Sequence, residues 1–214
     1  MQDNPIHSLE RIGDAVLLRG DSDHRWVYIS AVDEAGLAAV VERLIATDIY
    51  FAIIEDWMIP ILSRGRQLDW QLTTRKLLLP EQISLNYDSY HVLERLIERD
   101  AATILANSHY DGFTSIPYLV DRIKRGPNAG IRISGDLVAW ILTHDDGAIG
   151  NLHVLDEYRR KGMALDLLVY LSQRIRQLKR VPFVHIEEDN FQSTNLARKI
   201  GYQPDRRVHW LKFV

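Results

Sequence analysis

Residues 151–164 carry the sequence NLHVLDEYRRKGMA, and this stretch decides how the rest of the chain is interpreted. Its first five residues are mostly apolar and include the β-branched Val154, which favours a strand. Behind the stretch, apolar residues recur at intervals of four, three, four and three: Ala164, Leu168, Leu171, Ile175 and Leu178. That spacing is typical of one face of a helix of about four turns. A strand-like segment follows at residues 181–186, so we expect it to be a parallel neighbour of the strand at 148–155.

The turn between the first strand and the long helix contains Arg159, Arg160, Lys161, Gly162 and Ala164. The N-terminus of a helix offers unpaired N–H groups and a partial positive charge, which suit a phosphate. Glycine lets the backbone approach that phosphate closely, and a small alanine leaves room beside it. The alternative is an ordinary solvated basic turn, which is common at protein surfaces.

Two hairpin signals precede this turn. Residues 131–134 and 137–142 flank Gly135-Asp136, and Asp145-Asp146-Gly147 leads into residues 148–155. Short apolar segments separated by such turns predict an antiparallel meander of three strands.

Two helices are predicted before the meander. Ser115 is a plausible N-cap for a helix whose apolar face is Ile116, Leu119, Val120 and Ile123. A second helix is expected to start near Asp88 or Ser89, with an apolar face of Val92, Leu93, Leu96 and Ile97. Among the first 80 residues, strand-like and helix-like segments alternate, with Asp33 as an N-cap, and Pro80 closes this part. We therefore predict two domains, residues 1–80 and residues 81–214.

Composition excludes several classes. The 214 residues are 46% hydrophobic and 26% charged with a net charge of −3, which is an ordinary soluble balance and gives no sign of nucleic-acid or membrane partners. The chain contains no cysteine, so disulfides, thiolate metal sites and a cysteine nucleophile are excluded. The first residues lack the pattern of a secretory signal, and we expect a cytoplasmic protein. The 8 histidines show no paired metal spacing, so we predict no metal.

The pattern Val154-x4-Arg159-x-x-Gly162-x-Ala164 resembles the acyl-CoA signature Arg/Gln-x-x-Gly-x-Gly/Ala of the GNAT acyltransferase superfamily. Downstream, Asn190-x-x-Ser193-x-x-Leu196-Ala197-x-x-x-Gly201-Tyr202 resembles that superfamily's Asn-x-x-Ala-x-x-Leu-Tyr-x-x-x-Gly-Phe. The resemblance covers about residues 82–214. A narrower resemblance, to glycine N-acyltransferase-like proteins, rests on the stretches 155–159 and 182–187, on Asn190 and on Trp140.

This resemblance implies an α/β (α+β) fold: a mixed, mostly antiparallel sheet with a splayed parallel strand pair, preceded by a divergent GNAT-like half. It also implies that pantetheine lies in the gap between the splayed strands, as an added strand would. Acetyl-CoA or another acyl-CoA would then be held by Leu152, His153, Val154, Arg159, Arg160, Lys161, Gly162, Met163, Ala164 and Asn190. The N-terminal half is expected to show strand–helix–strand order without a pyrophosphate loop of its own.

Catalysis by direct attack of an amine on the thioester needs a route for the amine proton. The strand face shared by Leu152 and Val154 is expected to continue to Gly150 and Ala148, neither of which can accept a proton. His153 is expected on the opposite face, packed under the long helix. The remaining candidates are His185 and Glu187 on the following strand, or an ordinary solvated strand end.

The loop His109-Tyr110-Asp111 is a further candidate for the acceptor pocket, or an ordinary polar loop. At Ala197 the superfamily has a tyrosine that serves as the acid for the leaving thiolate. A methyl group cannot donate a proton, so Ser193, one turn earlier, is the candidate for orienting a water there. Tyr202 is expected to pack in the core.

The predicted function is therefore an acyl-CoA-dependent N-acyltransferase, with acetyl-CoA the expected donor, acting on the amine of a small molecule or an amino acid. A non-catalytic CoA-binding module and a protein N-terminal or lysine acetyltransferase are the alternatives. A homodimer is left open.

Overall fold

The computed structural model describes residues 5–86, 88–108 and 114–214. Contacts divide the chain into two units: residues 1–76 with 206–214, here called the N-terminal unit, and residues 77–205, the C-terminal unit. In the described ranges, no helix combines the length and the apolar character needed to cross a bilayer. The elements, in chain order, are β1 Ile6–Ile12, β2 Ala15–Asp21, β3 Arg25–Ser30, α1 Glu34–Val41, β4 Tyr50–Glu55, α2 Ile59–Leu62, β5 Leu68–Leu78, α3 Asp100–Ala106, α4 Ile116–Arg125, β6 Asn128–Ile133, β7 Asp136–Thr143, β8 Ile149–Val154, α5 Met163–Gln177, β9 Phe183–Glu187, α6 Phe191–Lys199 and β10 Gln203–Phe213.

The N-terminal unit has the strand order β1-β2-β3-β4-β10-β5. Strands β1–β2, β2–β3 and β4–β10 pair antiparallel, whereas β3 and β4 are parallel and are joined through α1. The strand–helix–strand order predicted from the sequence is therefore present. Helix α1 begins where predicted, because the Asp33 carboxylate accepts a hydrogen bond from the N–H of Gly36 at 2.8 Å.

The acidic N-cap of α1 also bears on the predicted lack of a pyrophosphate loop in this half. Asp33 occupies donors at the N-terminus of the helix, and Glu34 adds a second negative charge in the first turn. Both carboxylates repel a phosphate from the place where the helix dipole would favour it. The start of α1 is therefore unsuited to a pyrophosphate.

The C-terminal unit contains the predicted meander. Strand β7 pairs antiparallel with β6 and with β8, and β8 is parallel to β9 across the α5 connection. One face of these strands packs on α5 through a core that includes Ala139, Ile141, Leu168, Leu171 and Ile186. The opposite face packs on α3 and α4 through Ile104, Leu119, Ile123, Trp140 and Leu142. The strands thus present two different faces, which matters for the site.

The helix predicted to start near Asp88 or Ser89 is absent, and that prediction was wrong. The segment before α3 is irregular, and its backbone groups find partners elsewhere in the C-terminal unit. Glu94 exchanges two backbone hydrogen bonds with Gly130, of 2.9 and 2.7 Å, and the N–H of Leu96 donates to the Asn128 side chain. These long-range partners replace the intrahelical bonds that the apolar spacing suggested.

The chain divides at other points than the sequence suggested. The sequence predicted one boundary, between residues 80 and 81. In the structure the first boundary follows residue 76, and residues 206–214 group with the N-terminal unit. Val208, Leu211 and Phe213 of β10 are fully buried, and Leu211 and Phe213 belong to the same core cluster as Phe51 and Leu37. The idea that residues 1–80 are a divergent GNAT-like half stays a prediction.

Candidate functional site

Strands β8 and β9 separate soon after they meet. Their parallel pairing is recorded at one position, Ile149 opposite Val184. Beyond it, residues 150–154 of β8 continue without a partner on β9 and are half-buried. The predicted splayed parallel pair is confirmed, and within the described part of the chain it leaves one edge of β8 open for an extended ligand to pair with.

A β-bulge at Asn151 changes which way the residues of β8 face. Leu142 lies opposite Gly150 and Trp140 opposite His153, so β8 has one more residue than β7 between these pairs. Asn151 takes a left-handed backbone with φ of 48°. Bulges of this kind are found beside active sites, where they re-aim neighbouring groups.

The bulge overturns two expectations from strand alternation. Leu152 and Val154 pack against the core under α5, but Gly150 shares the face of Trp140 and His153. Gly150 therefore does not continue the Leu152 and Val154 face. His153 does not pack under the long helix either: its ring stacks on Trp140 at a centroid distance of 4.7 Å, on the face toward α3 and α4.

The turn before α5 presents a row of backbone donors. Arg160 and Gly162 both have positive φ, of 62° and 87°, and the 15-residue helix α5 begins at Met163. The N–H groups of residues 160–164 have no acceptor among the described residues. A Cβ placed on Gly162 would meet no described atom within 4 Å, so the space beside this residue is open. This arrangement fits a pyrophosphate without side-chain rearrangement.

The basic side chains of this turn lie at its rim. Arg159 folds back, and its Nε donates to the carbonyl of Val154 at 3.2 Å while its Nη2 pairs with Asp156 at 2.6 Å. The Lys161 ammonium lies 5.0 Å from the centre of the Tyr158 ring. Arg160 is exposed. The backbone therefore forms the cradle, and the side chains add positive charge around it.

Asp166, which the sequence did not single out, holds the first turn of α5. Its carboxylate is 1% exposed, and Oδ2 accepts hydrogen bonds from the Ser89 hydroxyl, the N–H groups of Tyr90 and His91, and His91 Nδ1, at 2.7–3.0 Å. These donors offset a negative charge that would otherwise oppose an anion at this helix end. They also tie residues 89–91 to the helix.

His185 and Glu187 lie on the face of β9 opposite Val184 and Ile186, which pack toward α5. The His185 side chain is buried, and its Nε2 lies 3.1 Å from Asp146 Oδ2. Burial alone would raise the pKa of the Asp146 carboxyl. The hydrogen bond from His185, together with the positive charges of His185 and His144, outweighs burial and holds that pKa below its ordinary value.

A second histidine, His144, lies beside this pair and was missed in the sequence because it stands in the β7–β8 turn. Its ring lies against Gly150: a Cβ added to Gly150 would fall 2.1 Å from His144 Nε2. Its Nδ1 is 3.2 Å from the Tyr118 hydroxyl on α4. The signal available in the sequence was the pair Gly150-Asn151, since glycine inside a strand often marks a bulge or a close approach.

Helix α6 carries the remaining predicted residues. The Asn190 side chain caps the helix by accepting from the N–H of Ser193 at 3.0 Å, so the structure brings these two together. Ala197 is 1% exposed in the core. Tyr202 is also buried, as expected, with its hydroxyl 2.8 Å from Ser172 Oγ, and burial raises its pKa well above the ordinary value. The candidates His109, Tyr110 and Asp111 lie outside the described residues.

A bulged strand, a parallel neighbour that splays from it and a donor-rich turn opening the connecting helix define the GNAT-like fold. The model of the FR47-like protein family matches residues 128–211, which include all three features. No curated protein sequence matches the chain. The family model covers less than half of the chain, and solved structures of GNAT proteins share its fold.

Three solved structures show the breadth of the likeness. A Drosophila protein superposes with a TM-score of 0.81 at 22% identity, covering 96% of this chain and 78% of its own. A protein from Novosphingobium aromaticivorans, assigned to the GNAT family of acetyltransferases, gives 0.62 at 16% identity, with 98% and 96% covered. A tandem GNAT protein from the clavulanic acid biosynthesis pathway gives 0.57 at 12% identity, with 95% and 81% covered. At these identities the structures show the fold alone.

Proposed function

We propose that the protein is an acyl-CoA-dependent N-acyltransferase that moves an acyl group, with acetyl the expected one, to the amine of a small molecule or amino acid. The observation that carries the proposal is the row of N–H groups at residues 160–164, placed at the end of the strand whose edge is open. Donors without acceptors at the start of a long helix suit a pyrophosphate, and the open edge suits an extended arm.

The residues that would hold the donor follow from this placement. The backbone of residues 159–164 binds the pyrophosphate, with the Arg159, Arg160 and Lys161 side chains at its rim. The backbone of residues 152–154 faces the pantetheine arm along the open edge. Asn190, at the start of α6, borders the same region. The bound thioester supplies the acyl group, and the chain supplies binding, orientation and a path for the amine proton.

The predicted catalytic residues have separate roles in this proposal. Glu187 stands at the end of β9, on the α3–α4 side, where it attracts a cationic amine. His185, paired with Asp146, places a buried polar pair on the same face. Ser193 orients a water near the leaving sulfur. With alanine at position 197, no tyrosine acts as the acid, and loss of such help costs ~10²–10⁴-fold at most.

A calorimetric titration with acetyl-CoA tests the binding site. Gly162→Glu should abolish binding, because its side chain and charge enter the space in front of the backbone donors. Gly135→Glu is the matched control: Gly135 also has a positive φ, of 93°, and open space around a Cβ, but it lies in the β6–β7 turn. The control should bind normally. Equal affinity in wild type and Gly162→Glu contradicts the proposed site.

Release of free thiol from acetyl-CoA against a panel of small amines and amino acids tests the reaction. Turnover with a small amine supports the proposal. Binding of acetyl-CoA without turnover on small amines, peptides or lysine-containing proteins favours a CoA-binding module, for which the alanine at 197 is the specific observation. Turnover confined to peptides and proteins favours a protein acetyltransferase.

A further inference from the structure

His144 lies where the gap between β8 and β9 begins. Gly150, the residue its ring touches, directly follows the Ile149–Val184 pair after which the strands part. A built Cβ at Gly150 would lie 2.1 Å from Nε2 and 2.5 Å from Cδ2, so this side of the imidazole takes the place of a side chain on the strand. The ring is half-buried. Because of the bulge, this position faces α3 and α4, away from α5.

The proton on the His144 ring can be assigned from its neighbours. The Tyr118 hydroxyl lies 3.2 Å from His144 Nδ1 and 3.4 Å from Asp145 Oδ1. A hydroxyl has one proton, and an ionised carboxylate only accepts, so Tyr118 donates to Asp145. Its oxygen is then the acceptor for Nδ1–H of His144. The neutral imidazole is thereby held with its lone pair on Nε2, the nitrogen that lies at Gly150.

The charges around His144 suit a group that takes up a proton. Among the described residues, the titratable groups that face it are Tyr118 on α4, Asp145 and Asp146 in its own turn, and His185 on β9 through its pairing with Asp146. Gly150 on β8 adds none. Burial raises the pKa of Asp146, and the positive charge of His144 is one of the causes that lower it, which shows that the carboxyl lies close to this ring.

We propose that His144 is the general base of the transfer, with Nε2 accepting the proton of the acceptor amine at the point where β8 and β9 part, while Tyr118 and Asp145 act as positioning residues. The inference rests on the proposed N-acyltransferase function and supplies a proton acceptor that neither Gly150 nor the buried Asp146–His185 pair provides. The acceptor is a primary amine that arrives protonated.

The proton balance is complete with these groups. A protonated amine gives one proton to Nε2 and gains a lone pair. That pair forms the C–N bond to the acyl carbon as the C–S bond breaks, and the second proton of the nitrogen passes to the departing sulfur. His144 then returns its proton to solvent. The net products are an amide, a thiol and one proton.

The first test measures which nitrogen of the His144 ring carries the proton, and it needs no substrate. Imidazole ¹⁵N shifts of the full-length protein should show neutral His144 with its proton on Nδ1, whereas a histidine in water mainly carries it on Nε2. Tyr118→Phe, which keeps the ring and removes the hydroxyl, should shift the proton toward Nε2. A proton on Nε2 in the wild type overturns the inference, since the lone pair would then face Tyr118.

The second test is the pH profile of kcat with acetyl-CoA and an accepted amine. His144→Gln should lower kcat on the order of 10²-fold and remove the acid limb of the profile. Gly150→Ala keeps the imidazole but displaces it, because the atoms that the new Cβ would meet belong to the end of the His144 side chain. This variant should also lose the acid limb of the pH profile. Gly36→Ala is the matched control: a Cβ there meets Asp33 and Ala15 at 3.3 and 3.6 Å, in α1. It should leave the profile unchanged.

The outcomes separate this inference from the proposed function. Loss of the acid limb in both variants, with acetyl-CoA affinity retained, supports the base. If the wild type is active and the pH profile of His144→Gln keeps its acid limb, His144 is not the general base. The N-acyltransferase proposal is unaffected by that result. A wild type that releases no thiol with any amine overturns both.

Discussion

The buried Asp146 carboxylate lies close to two histidines, His144 and His185. The direction in which its pKa is shifted determines how the stability of the fold depends on pH. The Asp146 and His185 side chains are 6% and 7% exposed. The folded-state pKa of Asp146 lies below the ordinary 3.8, although burial works in the other direction. The carboxylate therefore contributes stability that is full above pH 3.8 and is lost as pH falls through the lower folded value.

Replacing Asp146 by Asn should expose that contribution. We expect Asp146→Asn to lower the free energy of unfolding by about 3 kcal/mol at pH 7, because His185 loses its buried partner. The difference from wild type should shrink as pH falls below 3.8. Urea unfolding at several pH values measures it. Asp136→Asn, which changes an exposed acid at the start of β7, should change stability by less than about 0.5 kcal/mol. A constant difference across pH would contradict the assignment.

Residues whose role depends on local geometry were predictable. Asp33 and Ser115 were both recognised as N-caps, and both cap through their side chains. His144 and Asp166 were not, because their partners lie far along the chain: Tyr118 is 26 residues from His144, and His91 is 75 from Asp166. A pattern in one segment carries no information about which distant donor will meet it.

At the scale of elements, the bulge in β8 depends on a residue that tolerates a left-handed backbone. Asn151 has φ of 48°, a region that asparagine visits more readily than most residues and that a β-branched side chain resists. A β-branched residue there would favour removal of the bulge, and the open edge of residues 152–154 would be re-aimed.

Asn151→Val should therefore cost about 1–2 kcal/mol of stability and weaken acetyl-CoA binding by about tenfold or more. Ser134→Val supplies the control, since Ser134 has a similar φ of 53° in the β6–β7 turn. The control should lose comparable stability and keep its affinity. Urea unfolding and calorimetry on both variants decide the matter, and equal losses of affinity would show that strain alone is responsible.

Element order was well predicted, since the meander, α4, α5 and β9 all follow from spacing and turn signals. The failure at residues 88–97 has a physical cause. Helical spacing of apolar residues is equally compatible with an irregular segment whose apolar residues reach two different cores, and here Leu93 packs in one core and Leu96 in the other. The bulge at Asn151 could not be read from alternation, because alternation assumes that no residue is added.

At the scale of the molecule, the last residues of the chain complete the N-terminal unit. Val208, Leu211 and Phe213 are fully buried, and Phe213 packs edge-on against Phe51 at 5.5 Å between ring centres. Each large-to-small change in such a core costs about 2–5 kcal/mol. The summed loss in the free energy of unfolding from three such side chains therefore comes close to the usual stability margin of about 5–15 kcal/mol, or exceeds it.

A chain that lacks residues 206–214 should thus lose the cooperative unfolding of the N-terminal unit. Hydrogen exchange read by mass spectrometry would show this as fast exchange in β2, β3 and β4. Removal of the exposed Val214 alone is the control and should leave exchange in these strands slow. Slow exchange in β2–β4 of the shortened chain would mean that residues 5–76 fold without β10.

The hydrogen bonds that converge on Asp166 have an evolutionary consequence. One carboxylate serves the Ser89 hydroxyl, two consecutive backbone N–H groups and the His91 ring. A mutation that removes the Asp166 carboxylate leaves several hydrogen-bond donors without their acceptor at once. A single change in the loop cannot compensate for all of them. We therefore expect residues 89–91 and position 166 to be inherited as a set, although 75 residues separate His91 from Asp166. In descendants of this protein, the loop and the start of α5 should change together or not at all.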